Sequence, residues 1–174
     1  MKKVGILMGS ASDMPVAIKA IKVLEELGVE YEAHVLSAHR TPEEARAFAQ
    51  EAGSKGFGVL IGIAGMAAHL AGALAANSPL PVIGVPVKSD ALEGMDALLA
   101  TVQMPPGMPV ATVGVDGGKN AGILAAQILA VGESFGQSES GQSLMSKIVE
   151  FRRKESEKVL ANDADIENII NKYR

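Results

Sequence analysis

A histidine and an arginine stand side by side just after a short apolar run. The run His34–Leu36 leads into a polar loop that contains His39 and Arg40. Imidazole is the one side chain that ordinarily titrates near neutral pH, and a guanidinium can hold a phosphate or a carboxylate through two hydrogen bonds. The loop therefore suggests acid/base chemistry on an anionic substrate. The alternative is a purely structural His39, but its place in a loop favours the functional interpretation.

Two further segments carry groups that could serve the same site. The polar loop of residues 9–13 directly follows the run Val4–Met8. A loop of this kind offers backbone N–H groups and the positive end of a helix dipole to a phosphate, although ordinary capping by Ser12 or Asp13 explains it equally well. His69 lies near the start of an apolar helical segment, where it is either a structural histidine or a ligand contact.

The elements that must position these groups alternate between strand and helix. Apolar runs separated by segments of helical spacing occur at Val4–Met8, His34–Leu36, Val59–Ile63, Val82–Val87 and Val110–Val115. Runs that are apolar throughout predict strands covered on both faces, and hence a parallel sheet with crossover helices. Ligands of such sheets bind beyond the carboxyl ends of the strands, where these loops lie. His34 falls within a strand and is interpreted as structural.

The first two helices have clear boundaries in the sequence. Helical spacing predicts a first helix over Met14–Leu27, and Gly28 supplies a natural stop. For the second, Thr41 is a candidate cap and Pro42 suits the first helical position, with Gly53 at the end.

The third helix lies in a segment without charge. No Asp, Glu, Lys or Arg occurs from Gly56 to Val87, a length that could cross a bilayer. Glycines, prolines and His69 interrupt the segment, so strand, helix and strand is the preferred interpretation. The helix, about Ala67–Ala76, has almost no polar face and should be buried all round. We expect part of it to pack against another subunit; a central helix of the core is the alternative.

The amino-acid composition makes several classes of protein and of site improbable. The chain has 174 residues, 48% of them hydrophobic, and a net charge of −4, which suits one compact domain and provides no basic stripe for nucleic acid. The absence of cysteine excludes disulfides, thiolate metal sites and cysteine nucleophiles, and is consistent with a reducing compartment. The first apolar run is too short for a signal peptide, so a cytoplasmic location is expected.

The C-terminal part has a different composition. We expect a single catalytic α/β domain over residues 1–131, followed by a linker and a helical tail over residues 132–174. Gly132–Gly141 is the linker candidate, and Leu144, Ile148 and Phe151 form an apolar stripe on a highly charged helix, with a second short helix near Ile166–Tyr173. The tail should pack on the core or on a neighbouring subunit.

Several well-known motifs are missing. No Gly-x-Gly-x-x-Gly follows the first run, and Gly118-Lys119-Asn120 has neither the spacing nor the hydroxyl of a P-loop. There is no Gly-x-Ser-x-Gly elbow, and the histidines lack metal-ligand spacing. Dinucleotide-binding, NTPase, hydrolase and metalloenzyme interpretations lose support accordingly.

Five segments together resemble the N5-carboxyaminoimidazole ribonucleotide mutase family. In chain order they are Met8–Asp13, Ser37–Pro42, Ala67–Leu70, Pro81–Val87 and Val102–Pro105. The resemblance covers about residues 3–130 and leaves the charged tail outside. It implies a flavodoxin-like three-layer sandwich with a central parallel sheet, assembled as a homo-octamer with sites between subunits.

The resemblance also implies an activity in purine biosynthesis. The substrate carboxylate moves from N5 to ring carbon C4 through trapped CO2 and aminoimidazole ribonucleotide, without metal, nucleotide or other cofactor. His39 matches the histidine that transfers the proton in both directions. Ser10, Asp13 and Arg40 would hold the ribose phosphate, with Ser12, Ser37 and Ala38 nearby, and the carboxylate would be enclosed by Ala64, Gly65, His69 and Leu70.

Two positions depart from the family pattern. Met66 and Ala71 stand where glycine and proline are usual, both beside the expected CO2 pocket, which leaves the substrate preference open. The nearest rival is a direct carboxylase that takes free CO2, which the retained segments resemble less. A non-catalytic binding module on the same fold is the rival of a different class. A phosphoacceptor receiver is excluded, because Ala64 and Gly65 stand where its aspartate would be.

Overall fold

A computed structural model describes residues 2–133 and 143–173 of the chain. Its centre is a parallel sheet of five strands in the order β2-β1-β3-β4-β5. The strands are β1 (Lys3–Met8), β2 (Tyr31–Val35), β3 (Phe57–Gly65), β4 (Val82–Val87) and β5 (Ala111–Thr112). The strand β2 lies on one side of β1, and β3, β4 and β5 follow on the other side. The carboxyl ends of β1 and β3 therefore form the switch point where ligands of this topology bind.

All five expected strands are present, but two differ from their predictions. The strand β2 covers Tyr31–Val35 instead of His34–Leu36 and is largely exposed, because it lies at the edge of the sheet. The strand β5 is shorter than the run Val110–Val115 predicts. Pairing with β4 continues past its end through isolated hydrogen bonds from the Val113 N–H to the Gly84 carbonyl and from the Asp116 N–H to the Pro86 carbonyl. Asp116 has a positive φ of 55°, and this backbone turn prevents a regular strand.

Helices cover both faces of the sheet. They are α1 (Met14–Leu27), α2 (Pro42–Glu51), α3 (Leu70–Asn77), α4 (Met95–Val102), α5 (Gly118–Glu133), α6 (Leu144–Ala164) and α7 (Ile166–Lys172), with a short 3-10 turn at Ala11–Asp13. The predicted bounds of α1 are confirmed, and Gly28 ends that helix in the left-handed conformation with φ 70°. Thr41 occupies the N-cap position of α2, but its side chain does not cap the helix.

The core consists of two apolar layers, one on each face of the sheet. On one face, α1 and α5 pack against side chains such as Ile6, Ile61 and Val85, and α6 packs on α1 and α5. On the other face, α2 and α3 pack against Leu7 and Leu60. The flavodoxin-like three-layer sandwich expected from the sequence is therefore present.

The helix α3 differs from its prediction in length and in burial. It begins at Leu70, so that His69 is the N-cap residue and lies outside the helical body. Its backbone approaches the sheet closely: a Cβ at Gly62 would lie 2.9 Å from the Cα of Ala71. Within one subunit only Leu70, Ala71 and Leu74 of this helix are buried. The helix is therefore neither a central core helix nor covered all round by its own chain.

The C-terminal tail packs on the subunit's own core through α6. Leu144, Ile148 and Phe151 are buried against α1 and α5, as their spacing predicts. Lys119 of α5 adds an ion pair with Glu155 at 2.7 Å and lies over the Phe151 ring. The helix α7 corresponds to the short helix expected near Ile166–Tyr173. Most of the linker candidate Gly132–Gly141 lies outside the described residues.

The uncharged stretch from Gly56 to Val87 forms β3, α3 and β4. Across residues 2–133 and 143–173, no helix combines the length and the apolar character needed to cross a membrane.

Candidate functional site

A cavity of about 610 Å³ opens at the carboxyl ends of the central strands. The loops that follow β1, β2, β3 and β4 all contribute to its wall. Every residue predicted for the site lies on this wall: Ser10, Ser12, Asp13, Ser37, Ala38, His39, Arg40, Ala64, Gly65, His69 and Leu70. The structure thus brings the predicted residues together, while the individual roles assigned to them stay predictions.

The loop after β1 is organised by capping, and its hydroxyls still line the cavity. The Ser10 N–H donates to Asp13 Oδ2 at 3.0 Å, and Ser10 Oγ accepts from the Ser12 N–H at 3.3 Å. The Ser12 hydroxyl also donates to Ser10 Oγ at 2.9 Å. The expected capping by Ser12 or Asp13 is corrected: Ser10 is the N-cap residue of the 3-10 turn, the Asp13 carboxyl accepts the Ser10 N–H in return, and Asp13 does not cap α1. These bonds hold polar side chains at the cavity wall.

Asp13 is the buried carboxyl of the site, with 6% of its surface exposed. Burial disfavours the charged form and raises the pKa of Asp13 above its usual value, while the Ser10 N–H and the nearby Arg40 charge act in the opposite direction. A carboxyl placed in this way can accept hydrogen bonds from substrate hydroxyls in a largely dry environment.

The loop after β2 is held by two side-chain hydroxyls. Ser37 Oγ accepts hydrogen bonds from the N–H groups of His39 and Arg40, at 3.3 and 3.2 Å. The Thr41 hydroxyl bonds to both backbone groups of Ser37, accepting from its N–H at 2.8 Å and donating to its carbonyl at 3.1 Å. Thr41 was expected to cap α2; instead its hydroxyl closes this turn. Ser37 is buried and thereby positions the two residues that follow.

Arg40 connects the loops after β2 and β1. Its Nη2 donates to the Gly9 carbonyl at 2.8 Å, which holds the guanidinium over the first loop. The planar guanidinium has five N–H donors, so this one bond leaves further donors for an anion. The arrangement gives the cavity a fixed positive charge beside the Ser10 and Ser12 hydroxyls.

His39 and His69 meet across the cavity. His39 Nε2 lies 2.5 Å from His69 Nδ1, and the two rings are nearly perpendicular, at 84°. One hydrogen lies between the two nitrogens, so the tautomer of one ring determines that of the other. Both side chains are exposed within the single subunit. His34 contributes nothing to the cavity: it contacts the Phe48 ring and lies 3.6 Å from Glu32 on the outer strand.

The loop after β3 forms an apolar wall with an unusual backbone. Met66 and Ala68 both have positive φ, 56° and 45°. This region disfavours L-amino acids other than asparagine and aspartate, and such residues concentrate at ligand sites. The Ala68 N–H donates to the Gly65 carbonyl at 3.0 Å, which closes the turn that leads to His69.

Sequence reasoning missed the loop after β4. Val87, Lys88 and Ser89 also line the cavity. The Lys88 N–H donates to Asp116 Oδ1 at 3.0 Å, and its ammonium group pairs with Glu93, which raises the pKa of Lys88. The rule that ligands bind at the carboxyl ends of strands applies equally to β4 and would have found this loop. In contrast, the cavity wall includes no residue of the segment Val102–Pro105, although that segment belongs to the sequence resemblance.

The described part of the chain contains no cluster of side chains suited to binding a metal ion. Within residues 2–133 and 143–173, no group of three or more histidine, aspartate or glutamate side chains could hold a metal ion. The polar groups of the cavity are instead suited to proton transfer and to the binding of an organic anion.

Comparison with known proteins gives a consistent picture. The AIR carboxylase family model matches residues 3–158, which extends beyond the resemblance at residue 130 and into α6. The N5-carboxyaminoimidazole ribonucleotide mutase of Pyrococcus abyssi is 60% identical over 131 residues, 75% of each chain. That of Thermotoga maritima is 45% identical over 169 residues, 97% of this chain and 94% of the relative.

Two further relatives extend the comparison. The phosphoribosylaminoimidazole carboxylase of Candida glabrata is 46% identical over 95% of this chain, which corresponds to 28% of that longer protein. The crystal structure of Treponema denticola PurE superposes with a TM-score of 0.76 at 30% identity, covering 93% of this chain and 96% of that one.

Proposed function

This chain belongs to the AIR carboxylase family, and we propose on that premise that it is an N5-carboxyaminoimidazole ribonucleotide mutase of purine biosynthesis. The observation that carries the proposal is the position of His39. Its imidazole lies in the cavity at the switch point of the sheet, beside Arg40 and in contact with His69. Relatives that align with nearly the whole chain carry the name of this mutase.

The proposed reaction needs one proton carrier. In the first half, the bond between N5 and the carboxylate carbon breaks, its electron pair returns to N5, and His39 donates a proton there as CO2 leaves. In the second half, C4 forms a bond to CO2, and the C4 proton returns to His39. Atoms and charges balance without an oxidant or a second substrate, so a single imidazole is sufficient.

The remaining groups of the cavity suit the other parts of the substrate. Arg40 has the geometry for the phosphate, with Ser10 and Ser12 as neighbouring hydroxyl donors. The Asp13 carboxyl would accept hydrogen bonds from the ribose hydroxyls. Lys88, which lines the same cavity, adds a second cation for an anionic substrate once its ion pair with Glu93 opens.

The proposal includes a homo-oligomer, with the octamer as the expected form, in the cytoplasm. Large apolar side chains on α4 support an assembly: Met95, Leu99 and Val102 recur at helical spacing and are 55, 50 and 49% exposed. The incomplete burial of α3 supports the same conclusion, because contiguous exposed apolar surface marks interaction sites. Sedimentation of the purified protein tests this part, and a stable monomer at micromolar concentration would contradict it.

The activity is tested with purified protein and N5-carboxyaminoimidazole ribonucleotide, in buffer without ATP and with a chelator present. We expect formation of the C4-carboxylated product by the native protein. His39→Asn should lower kcat by about 10²–10⁴-fold, the range typical for loss of a general acid/base. His34→Asn is the matched control, because His34 lies outside the cavity, and it should leave kcat unchanged.

A direct carboxylase is the second candidate, and the relative named phosphoribosylaminoimidazole carboxylase supports it. The two activities differ in their dependence on free CO2. If the protein turns over aminoimidazole ribonucleotide with bicarbonate but leaves the N5-carboxylated substrate unchanged, the carboxylase replaces the mutase. A protein that turns over neither substrate would contradict both.

A further inference from the structure

The loop after β4 is attached to the segment after β5 by a side chain as well as by the backbone. Regular pairing of β4 with β5 ends at Gly84. Further along, the Asp116 N–H donates to the Pro86 carbonyl at 2.9 Å. The Lys88 N–H, at the cavity wall, then donates to Asp116 Oδ1 at 3.0 Å. The Asp116 carboxylate therefore continues the hydrogen bonding between these two segments as far as the cavity.

Asp116 has a backbone conformation that glycine would adopt more readily. The Gly117 N–H donates to the Gly114 carbonyl at 2.9 Å, which closes a four-residue turn with Asp116 at its third position. The φ of Asp116 is 55°, and turns that need a positive φ at this position favour glycine or asparagine. Lys19 Nζ of α1 donates to the Asp116 carbonyl at 3.3 Å. The turn is thus held to α1 and to β4, and the carboxylate is directed at the Lys88 N–H.

A second turn packs against the backbone of Lys88. Glu93 and Gly94 both have positive φ, 54° and 88°. A Cβ at Gly94 would lie 3.2 Å from the Cα of Lys88 and 2.7 Å from Cγ1 of Val115. The Glu93 carboxylate forms an ion pair with the Lys88 ammonium group. The backbone of Lys88 is therefore held by two turns, and its side chain can exchange Glu93 for another anion without movement of that backbone.

We propose that Asp116 is a positioning residue, which accepts the Lys88 N–H and so holds the Lys88 ammonium group where an anionic group of the substrate can replace Glu93. The inference rests on the proposed mutase function. Asp116 lies outside the described cavity wall, so its contribution passes through Lys88. A cation that is ordered before the substrate arrives binds an anion more tightly, because less conformational entropy is lost on binding. The effect should appear in KM, since Lys88 binds the substrate and transfers no proton.

The first measurement is the steady-state kinetics of the purified protein with N5-carboxyaminoimidazole ribonucleotide. Asp116→Gly removes the acceptor for the Lys88 N–H, while glycine suits the positive φ and keeps the N–H that bonds to Pro86. We expect KM to rise several-fold and kcat to stay close to that of native protein. Lys88→Met should also raise KM. Adding Asp116→Gly to Lys88→Met should then cause no further rise, because the two residues act as one unit.

Two variants separate the hydrogen-bond acceptor from its charge. Asp116→Asn keeps an Oδ1 acceptor and a residue type that tolerates positive φ, so it should rescue the KM that Asp116→Gly loses. Asp90→Asn is the matched control, because it removes another negative charge that acts on the Lys88 ammonium group, and it should leave KM unchanged. Hydrogen exchange followed by mass spectrometry tests the bond itself. The Lys88 N–H should exchange faster in Asp116→Gly than in native protein or Asp116→Asn.

Inhibition by aminoimidazole ribonucleotide identifies the anionic group that Lys88 binds. This compound has the phosphate of the substrate but lacks the N5-carboxylate. If Lys88→Met weakens inhibition as much as it raises KM, Lys88 binds the phosphate. If KM rises while inhibition is unchanged, Lys88 binds the carboxylate. Both results support a substrate anion at Lys88.

Four results would overturn the proposal. The first is a native KM in Asp116→Gly. The second is the same rise in KM when Asp116→Gly is added to Lys88→Met, which would mean that Asp116 does not act through Lys88. The third is a KM in Asp116→Asn as high as in Asp116→Gly, which would make charge the cause. The fourth is unchanged exchange of the Lys88 N–H in Asp116→Gly. Failure of the proposed function is distinct, because the native protein would then form no product while hydrogen exchange could still be measured.

Discussion

The loops after β2 and β3 meet at the His39–His69 contact, yet they are held in different ways. The loop after β2 is tied by hydroxyls: Ser37 accepts two backbone N–H groups, and Thr41 bonds to both backbone groups of Ser37. The loop after β3 has two residues at positive φ and small side chains around them. The loop that carries His39, the proposed proton carrier, is thus positioned by hydrogen bonds, whereas the apolar wall opposite depends on a strained backbone.

Among the variants that test this difference between the two loops, removal of the Ser37 hydroxyl should have the largest effect on stability and on kcat. In Ser37→Ala the N–H groups of His39 and Arg40 lose their acceptor inside a folded turn, which should lower the free energy of unfolding by about 1–3 kcal/mol. We also expect kcat to fall by roughly 10-fold, because small misplacement of a catalytic group is costly. Urea denaturation and the product assay measure the two effects.

Thr41→Val is the control for Ser37→Ala. It loses bonds in the same turn but leaves the Ser37 hydroxyl with its two N–H partners. Stability should therefore fall while kcat changes less than in Ser37→Ala. Equal losses of kcat in both variants would show that general stiffness of the turn matters, rather than the acceptor for His39 and Arg40.

In the loop after β3, relief of backbone strain should change the free energy of unfolding by a smaller amount and in the opposite direction. Ala68→Gly should raise the free energy of unfolding by up to about 1 kcal/mol, since an L-residue in the left-handed region costs about 1–2 kcal/mol and glycine loses about 0.5–1 kcal/mol of chain entropy. Ala38→Gly is the matched control in the loop after β2. Its φ is not positive, so the same change there should only destabilise. If urea denaturation showed that both variants gain stability or that both lose it, the proposed difference between the loops would be wrong.

The smallest effect concerns Asp13. Burial raises the pKa of this carboxyl, and the nearby Arg40 charge acts in the opposite direction. A raised folded-state pKa means that the folded protein binds the proton more tightly than the unfolded chain, whose carboxyl titrates near 3.8. The stability contributed by this proton is complete below that value and is lost as the pH rises through the folded-state pKa. Asp13→Asn should therefore be more stable than native protein at pH 7.

The advantage of Asp13→Asn should shrink as the pH falls through the raised pKa toward 3.8. Urea denaturation at several pH values measures it, and a difference independent of pH would contradict the assignment. Arg40→Gln removes the opposing charge. In that background the advantage at neutral pH should increase, which links the loop after β2 to the buried carboxyl.

Much of the fold could be predicted because its signals are local. The apolar run of β4 and the spacing of α1 correspond to their elements residue for residue, and the stripe of α6 identifies the face that is buried. The shortening of β5 could not be predicted, because it depends on the turn at Asp116 beside β4. The same holds for the start of α3: helical spacing extends to Ala67, but the positive φ of Ala68 keeps the helix from beginning there.

The sequence predicted which residues line the cavity better than it predicted the contacts that these residues make. The rule for parallel sheets selects the strand ends, and the loops there carry the histidines, the arginine and the hydroxyls. Lys88 was missed because its loop lacks a recognisable segment, although it follows β4 directly. Thr41 was misassigned, since a threonine before a helix can either cap it or bond backward, and only the fold of the loop decides between these bonds.

Residue types and spacing by themselves determined the alternation of strand and helix, the placement of polar loops after the strands and the choice of His39 as a candidate acid/base. These properties depend on near neighbours in the chain and on a topology rule with few exceptions. Only the tertiary structure decided that His39 Nε2 contacts His69 Nδ1, that Arg40 reaches the Gly9 carbonyl and that Lys88 joins the same cavity wall. Each of these contacts joins residues or loops from different strand ends, and their geometry follows from the twist and register of the assembled sheet.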